Sequence, residues 1–372
     1  MPDLPRIQLP PEVLPADGRF GSGPSKVRSE AVLELGVSGS SYLGTSHRRP
    51  GVKSVVAAIR EGLAAYYELP PGFEVILGNG GATAFWDAAT FGLIERRSQH
   101  MVFGVFSRKF ADAVTAAPHL EAPDIIESEP GTHPSIEPNS DVDVYALTHN
   151  ETTTGVTMPV TRPEGVEGLV VVDATSAAGA IEVSASNFDA YYFSPQKAFG
   201  SEGGLWIALC SPFAVSRIER LASQRWIPPF LSLRTAMDNS RKDQTYNTPA
   251  LATLFLMRRQ LDWMLEMGGL EWATARAHRT AEILYDWANA ADYATPFVAD
   301  PAQRSPTVVT IDLVDAIDAG VVAGVLRAND IVDTESYRTL GRNQLRVATF
   351  PNVEPSDAEK LTRAIDYIAE RL

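Results

Sequence analysis

The chain predicts an α/β fold: a doubly wound, mostly parallel sheet in a large domain, followed by a smaller C-terminal α/β domain. Short, almost wholly apolar runs alternate with longer helix-like stretches, the pattern of strands buried on both faces. At 372 residues the chain exceeds the ~250 to 300 residues that one hydrophobic core usually supports, so a second domain is expected. No solenoid or propeller repeat and no low-complexity tract interrupts the pattern.

The first apolar run, Phe73-Glu-Val-Ile-Leu77, is followed by Gly78-Asn-Gly-Gly-Ala-Thr83 and a helix over 82–93. Met101-Val-Phe-Gly-Val105 precedes a helix over 107–117, and Asp143-Val-Tyr-Ala-Leu147, Leu169-Val-Val-Val172, Ala190-Tyr-Tyr-Phe193 and Leu205-Trp-Ile-Ala-Leu209 complete the set. All are short and rich in β-branched or aromatic residues, as strands are. A long helical region over 249–288 begins at Thr248-Pro249, an N-cap residue followed by Pro at the first helical position. A strand over 307–311, an Ala/Val-rich helix over 318–328, a strand over 344–348 and a terminal helix follow, and Ser356 with Glu359 has capping-box spacing. Gly268-Gly269 marks the expected boundary near residue 270. It divides the chain into an N-terminal extension (1–19), a large domain (20–269) and a small one (270–372), the last of ordinary domain size.

Composition narrows the function. A formal net charge of -14 opposes approach to nucleic acid and to anionic membrane surfaces. No stretch approaches the ~20 apolar residues of a membrane span, and Met1 to Pro15 is unlike a signal peptide. The single cysteine, Cys210, forms no intramolecular disulfide, which fits a reducing compartment, and cytoplasm is expected. The six histidines lack metal-ligand spacing, so no metal site is expected.

In doubly wound sheets ligands bind beyond the carboxyl ends of the strands. Gly78 to Thr83 reads either as a phosphate cup, with backbone N–H groups and a helix N-terminus facing an anion, or as a tight turn capped by Thr83. It approaches a dinucleotide fingerprint but has Thr83 where the third Gly or Ala belongs, and a nicotinamide dehydrogenase reading rests on this loop alone. Gly18-Arg-Phe-Gly-Ser-Gly23 runs into Pro24 instead of the lysine of a nucleotide-binding P-loop. Asp173 ends an all-apolar strand, where a carboxylate needs a cation: a structural Arg or Lys, or a protonated ligand nitrogen. Lys197 stands in Ser194-Pro-Gln-Lys-Ala-Phe-Gly200, past the next strand. A carboxylate, an amine and a phosphate cup at strand ends are the three anchors that pyridoxal phosphate requires.

Phe20-Gly-Ser-Gly-Pro24, Thr45-Ser-His-Arg48, Gly78-Asn-Gly-Gly81, His149-Asn-Glu-Thr152, Asp173, Gln196-Lys197 and Tyr246-Asn-Thr-Pro249 occur in an order that resembles the phosphoserine aminotransferases, which are fold-type I, class V pyridoxal-phosphate enzymes. The resemblance spans roughly residues 20 to 350. It implies that Lys197 carries the covalent link to the cofactor, that Asp173 holds the pyridinium nitrogen, and that Thr152 bonds the ring oxygen. Phe106 stands where the family usually stacks a Trp. Backbone at Ala82 and Thr83, the Gln196 amide, and Asn247 with Thr248 from the partner subunit of a homodimer would hold the cofactor phosphate. Ser22, His47, Arg48 and Arg346 would meet the substrate, with Arg346 forking the α-carboxylate and His47 and Arg48 near the substrate phosphate. Two departures stand out: Thr83 replaces an Arg common among relatives, and a His-Arg pair expected just before Arg346 is missing, with Arg338 and Arg342 as candidate substitutes.

The implied reaction interconverts phosphoserine and 2-oxoglutarate with 3-phosphohydroxypyruvate and glutamate in ping-pong fashion, and a phosphorylated hydroxythreonine of vitamin B6 synthesis is a second expected substrate. A serine- or alanine-glyoxylate transaminase is the nearest alternative. A cysteine desulfurase would need a mobile thiol, whereas Cys210 closes an apolar strand.

Overall fold

A computed structural model describes residues 5–372, so the first four residues of the expected N-terminal extension lie outside the described residues. After the helices α1 (Ser29–Tyr42) and α2 (Pro50–Tyr66) the chain enters the sheet at β1 (Glu74–Asn79) and leaves it through α3 (Gly81–Gly92). Next come β2 (Ser98–Val102), α4 (Val105–Thr115), β3 (Asp124–Glu127), β4 (Val144–Thr148), the two-residue pair β5 (Asn150–Glu151) and β6 (Val156–Thr157), β7 (Leu169–Asp173), β8 (Ala190–Phe193) and β9 (Leu205–Cys210). The seven-stranded sheet has the order β1-β9-β8-β7-β4-β2-β3. Only β9 runs against its neighbours.

Strand alternation builds one core on each face. Val170 and Val172 turn toward a cluster that includes Val56, Ile59 and Leu63 of α2, while Leu169 and Val171 turn toward Phe85, Trp86 and Ala89 of α3. Residues buried on both sides in this way give the continuous apolar runs seen in the sequence.

Several boundaries differ from the sequence expectation. Gly78 and Asn79 belong to β1, because Gly78 lies opposite Trp206 and a Cβ there would sit 2.1 Å from the indole. The expected strand 101–105 is instead 98–102, and Val105 already begins α4. Its start was hidden by the buried polar residues Ser98, Gln99 and His100, which satisfy one another or their neighbours: Ser98 Oγ lies 2.9 Å from His100 Nε2, and Gln99 Nε2 donates to Asp124 Oδ2 at 2.9 Å. The edge strand β3 was not expected.

α5 (Pro212–Gln224), α6 (Leu233–Ser240) and α7 (Leu251–Glu266) finish the first layers. Where one long helical region was expected, Gly268 (φ 124°) and Gly269 (φ 71°) separate α7 from α8 (Gly269–Ala290). Beyond α8, β10 (Ala294–Pro296), β11 (Val308–Leu313) and β12 (Gln344–Ala348) form an antiparallel sheet, with α9 (Ala319–Ala328) and α10 (Pro355–Ala369) packed on it. Asp318 caps α9, accepting from Val321 N at 3.0 Å. The Ser356/Glu359 capping box does not form: Glu354 is the N-cap of α10 without a side-chain bond, and Pro355 takes the first position, which moves Ser356 inside the first turn.

The N-terminal segment belongs spatially with this second core. Leu9 and Phe20 are buried among Leu284, Val309, Val347 and Ile365, Phe20 N donates to Val332 O (3.2 Å), and Ala348 N donates to Phe20 O (2.9 Å). Among the described residues no helix is long and apolar enough to cross a membrane, and no group of three or more His, Cys, Asp or Glu is placed to hold a metal ion.

Candidate active site

The carboxyl ends of β4, β7 and β8 open on a cavity of ≈ 330 Å³ whose wall includes Gly80 to Thr83, Phe106, Thr152, Asp173, Gln196, Lys197 and Arg346. Asp173 is the last residue of β7 and only 6% exposed. Its Oδ1 accepts from Thr175 N at 2.9 Å and its Oδ2 from Trp86 Nε1 at 3.2 Å. Among the described residues no Arg, Lys or His comes within ion-pair distance of it. A buried carboxyl that faces a cavity without a protein cation favours the second of the two readings left by the sequence, a ligand nitrogen.

Lys197 reaches the cavity from the turn after β8, and its Nζ donates to Thr152 Oγ1 at 2.6 Å. That hydroxyl is held in turn by Ser176 Oγ at 3.0 Å. The turn is pinned from the N-terminal segment, where Ser25 Oγ donates to Lys197 O (2.6 Å) and Ser25 N to Gln196 O (2.8 Å). A side chain at Gly23 would place its Cβ 2.8 Å from Lys197 Cε, at a backbone φ of +147°. Burial lowers the Lys197 amine to about 7; Asp173 and Glu151 oppose the shift, while Arg346 reinforces it. An amine that is half deprotonated near neutrality can act as nucleophile and proton acceptor.

The phosphate cup lies at the start of α3. Gly80 (φ 109°) is the N-cap and no side chain caps the helix, which leaves the first-turn N–H groups at Ala82 and Thr83 facing the cavity. The cup is therefore made by Gly80 and Gly81; Gly78 serves strand pairing, which removes the pattern on which the dinucleotide reading stood. Thr83 is the third helical residue and does not cap it.

Phe106 is the second residue of α4 and not the end of a strand. Its ring centroid is 5.6 Å from Lys197 Nζ. Glu151, wholly buried, fixes it in place: Oε2 accepts from Phe106 N (3.1 Å), Ser107 N (2.9 Å) and Ser107 Oγ (3.0 Å). Burial raises the Glu151 pKa despite these bonds.

Arg346 enters from β12. Nη1 donates to Thr152 O at 3.4 Å, Nε is buried without a partner, no carboxylate among the described residues pairs with it, and burial lowers its pKa. Four buried polar atoms without partners, Ser22 Oγ, Thr175 Oγ1, Gln196 Oε1 and Arg346 Nε, belong to residues of this one cavity. With the uncapped helix, the unpaired Asp173 and the depressed Lys197, this donor and acceptor set fits pyridoxal phosphate with an anionic substrate beside it.

Nine of the expected site residues thus meet in one chain: Ser22, Ala82, Thr83, Phe106, Thr152, Asp173, Gln196, Lys197 and Arg346. His47, Arg48, Asn247 and Thr248 do not line the cavity. His47 is buried with Nε2 unpartnered, and burial followed by the charge of Arg48 lowers its pKa. Asn247 accepts from Asn79 Nδ2 through its backbone oxygen (3.2 Å), and Thr248 is exposed. Thr248 does not cap α7, which starts at Leu251 after Ala250 because Pro249 sits in the preceding loop. Of the two substitute cations, Arg342 is committed to Asp312 (Nε to Oδ1 3.2 Å), while Arg338 is exposed. Trp86, Asn150, Glu151, Thr175, Ser176 and Tyr337 were not assigned roles from the sequence. Glu151 alone left a signal there, as a carboxylate inside an otherwise neutral motif.

Residues 135–334 match the family aminotransferase class-V. The chain is 55% identical over 370 residues to the phosphoserine aminotransferase of a Nocardioides species, covering 98% of this chain and 99% of that one. It is also 55% identical over 372 residues to that of Corynebacterium glutamicum, covering 100% and 98%. Among solved structures, a phosphoserine aminotransferase from Cytophaga hutchinsonii superposes with a TM-score of 0.86 at 23% identity, over 94% of this chain and 99% of that chain.

Proposed function

The chain belongs to the class-V aminotransferases, in their phosphoserine aminotransferase branch, and from that premise we propose that it interconverts O-phospho-L-serine and 2-oxoglutarate with 3-phosphohydroxypyruvate and L-glutamate. The observation that carries this reading is the unpaired, buried Asp173 facing the same cavity as Lys197. Pyridoxal phosphate, when bound, supplies an aldehyde that takes up the amino group and a ring that accepts the electrons freed at the substrate α-carbon.

This chain's residues do the rest. Asp173, whose two oxygens are oriented by Trp86 and Thr175 N, would hold a proton at the ring nitrogen. The start of α3 and Gln196 would hold the cofactor phosphate, and Phe106 would cover the ring. Thr152 holds the Lys197 amine at the cavity wall, where it would anchor the cofactor and, once displaced by the substrate amino group, would accept the α-carbon proton. Arg346 orients the α-carboxylate that both amino-acid substrates share. Alternation of two such half-reactions makes the cycle ping-pong, and 4-phosphohydroxy-L-threonine is accepted as a second phosphorylated substrate.

The same proposal takes residues 20–269 as the cofactor-binding unit and 270–372 as the unit that brings Arg346. It makes the active protein a homodimer in which Asn247 and Thr248 complete the partner's phosphate site. In support, Trp226 is 80% exposed, Phe230 four positions on and Tyr246 next to Asn247 are also exposed, and the Phe230 ring lies 3.7 Å from where a Cβ at Gly80 would stand. Val32, Leu33 and Val37 of α1 are exposed as well, Leu33 and Val37 one helical turn apart, and apolar side chains grouped on one exposed face mark interaction surfaces. Residence in the cytoplasm is part of this reading, supported by a single thiol, Cys210, that burial in β9 makes hard to ionise.

A visible spectrum of the purified protein tests the function directly. The bound-cofactor band should be bleached stoichiometrically by phosphoserine and by glutamate, and restored by 2-oxoglutarate. Serine or alanine bleaching it as readily would transfer the chain to the glyoxylate-type activity.

A further inference from the structure

Arg346 is held loosely for a group that must present two parallel N–H bonds. Among the described residues its side chain makes one hydrogen bond, 3.4 Å long, its Nε has no partner, and no carboxylate pairs with it. An arginine side chain left so free samples several rotamers, and part of that freedom is lost when it binds a carboxylate. What restrains it is the face of Tyr337, whose ring centroid lies 5.3 Å from the guanidinium carbon, inside cation–π range.

Tyr337 is itself restrained. It meets Phe106 edge-on at 5.9 Å and 64°, and both residues line the cavity. The connection that carries it, between α9 and β12, is tied at its base by Arg346 N donating to Thr334 O (2.9 Å) and by Leu313 N donating to Asn343 O (2.9 Å). Tyr337 O accepts from Leu340 N at 2.9 Å, closing a turn at the tip. The Tyr337 hydroxyl makes no hydrogen bond among the described residues, so the ring is the working part. A continuous contact therefore runs from α4 of the large sheet through Phe106 and Tyr337 to Arg346 on β12.

We propose that Tyr337 is a positioning residue: its ring braces Arg346 from below and thereby sets the affinity for the α-carboxylate common to both amino-acid substrates. This rests on the aminotransferase reading above, and it adds a residue whose effect is on recognition and not on proton transfer. The contact also makes carboxylate recognition depend on the second core being docked against Phe106.

The test compares Tyr337→Phe and Tyr337→Leu by following the spectral half-reactions with phosphoserine and with glutamate separately. Tyr337→Phe keeps the ring and should stay within about twofold of wild type. Tyr337→Leu should raise the half-saturating concentration of both amino acids by a similar factor, about tenfold, as expected for a desolvated cation–π contact, while the limiting rate holds. In an Arg346→Lys background, which breaks the planar contact, Tyr337→Leu should add little. The proposal is overturned by a loss confined to phosphoserine, by equal losses in the Phe and Leu variants, or by a fall in limiting rate at unchanged half-saturation. A wild-type protein that reacts with glutamate but not with phosphoserine would sink the substrate assignment alone, because the Tyr337 comparison can still be made with glutamate.

Discussion

Lys197 is 5% exposed, yet among the described residues its amine has one hydrogen-bond partner, a threonine hydroxyl. The folded protein lowers its pKa from 10.5 to about 7, so between those values the unfolded chain binds the extra proton. Stability of the cofactor-free protein must then rise with pH across that window, by up to about 1.4 kcal/mol per unit, and carry the whole penalty below pH 7. Lys197→Met should accordingly be more stable than wild type at pH 7 when both are stripped of cofactor, with the margin vanishing toward pH 10. Urea midpoints at several pH values measure this, and a margin independent of pH would contradict it. Asp173 was legible in the sequence because a carboxylate closing an apolar strand is conspicuous, and Lys197, four residues past the end of β8, only through its combination with Asp173, the glycine cup and the Gln196-Lys197 motif. Trp86, Ser176 and Tyr337 were not, since each has an ordinary sequence setting and its role comes from chain segments that meet only in the fold.

At the level of elements, the sequence announced the strands that are apolar on both faces and concealed those that are not. β2 opens with buried polar residues and β3 alternates half-buried with exposed positions, so neither start could be seen. The start of α4 was equally hidden, because the local Ser107 hydroxyl that accepts from Gly104 N is joined by Glu151, 46 positions after Val105, which accepts from the first-turn N–H groups. Gly104 allows that approach: a Cβ there would lie 2.3 Å from Glu151 Cγ and 2.6 Å from Thr153 Oγ1. Gly104→Ala should therefore displace Glu151 or the first turn of α4, destabilising the protein by about 1 to 3 kcal/mol as overpacked sites do, and moving Phe106 away from the ring it is proposed to cover. Denaturant titration combined with a cofactor affinity measurement checks both effects. Unchanged cofactor affinity alongside lost stability would detach Phe106 from the ring.

On the scale of the whole molecule, the proposed sharing of each site between two chains makes a sharp genetic prediction. Co-expressing Lys197→Ala with the double variant Asn247→Ala/Thr248→Ala should produce mixed dimers with one doubly damaged and one intact site, because each lesion falls on the other chain's contribution. Random pairing makes about half the dimers mixed, so about a quarter of all sites should regain activity. Activity no higher than the parental average would place both contacts within one chain. The N-terminal segment has a different consequence, one of timing. Leu9 N donates to Asn329 Oδ1 and Ala16 N to Asp357 Oδ1, contacts separated by 320 and 341 positions. At about 5 to 20 residues per second of synthesis, residue 16 waits roughly 20 to 70 s for its acceptor to be made. The seven-stranded sheet ends at Cys210, and all its strands have been synthesised well within that interval. Ser25, which clamps the carbonyl of Lys197, hangs from the same waiting segment. The brace on the lysine turn therefore belongs to a segment whose own acceptors, Asn329 and Asp357, are synthesised after every strand of the sheet.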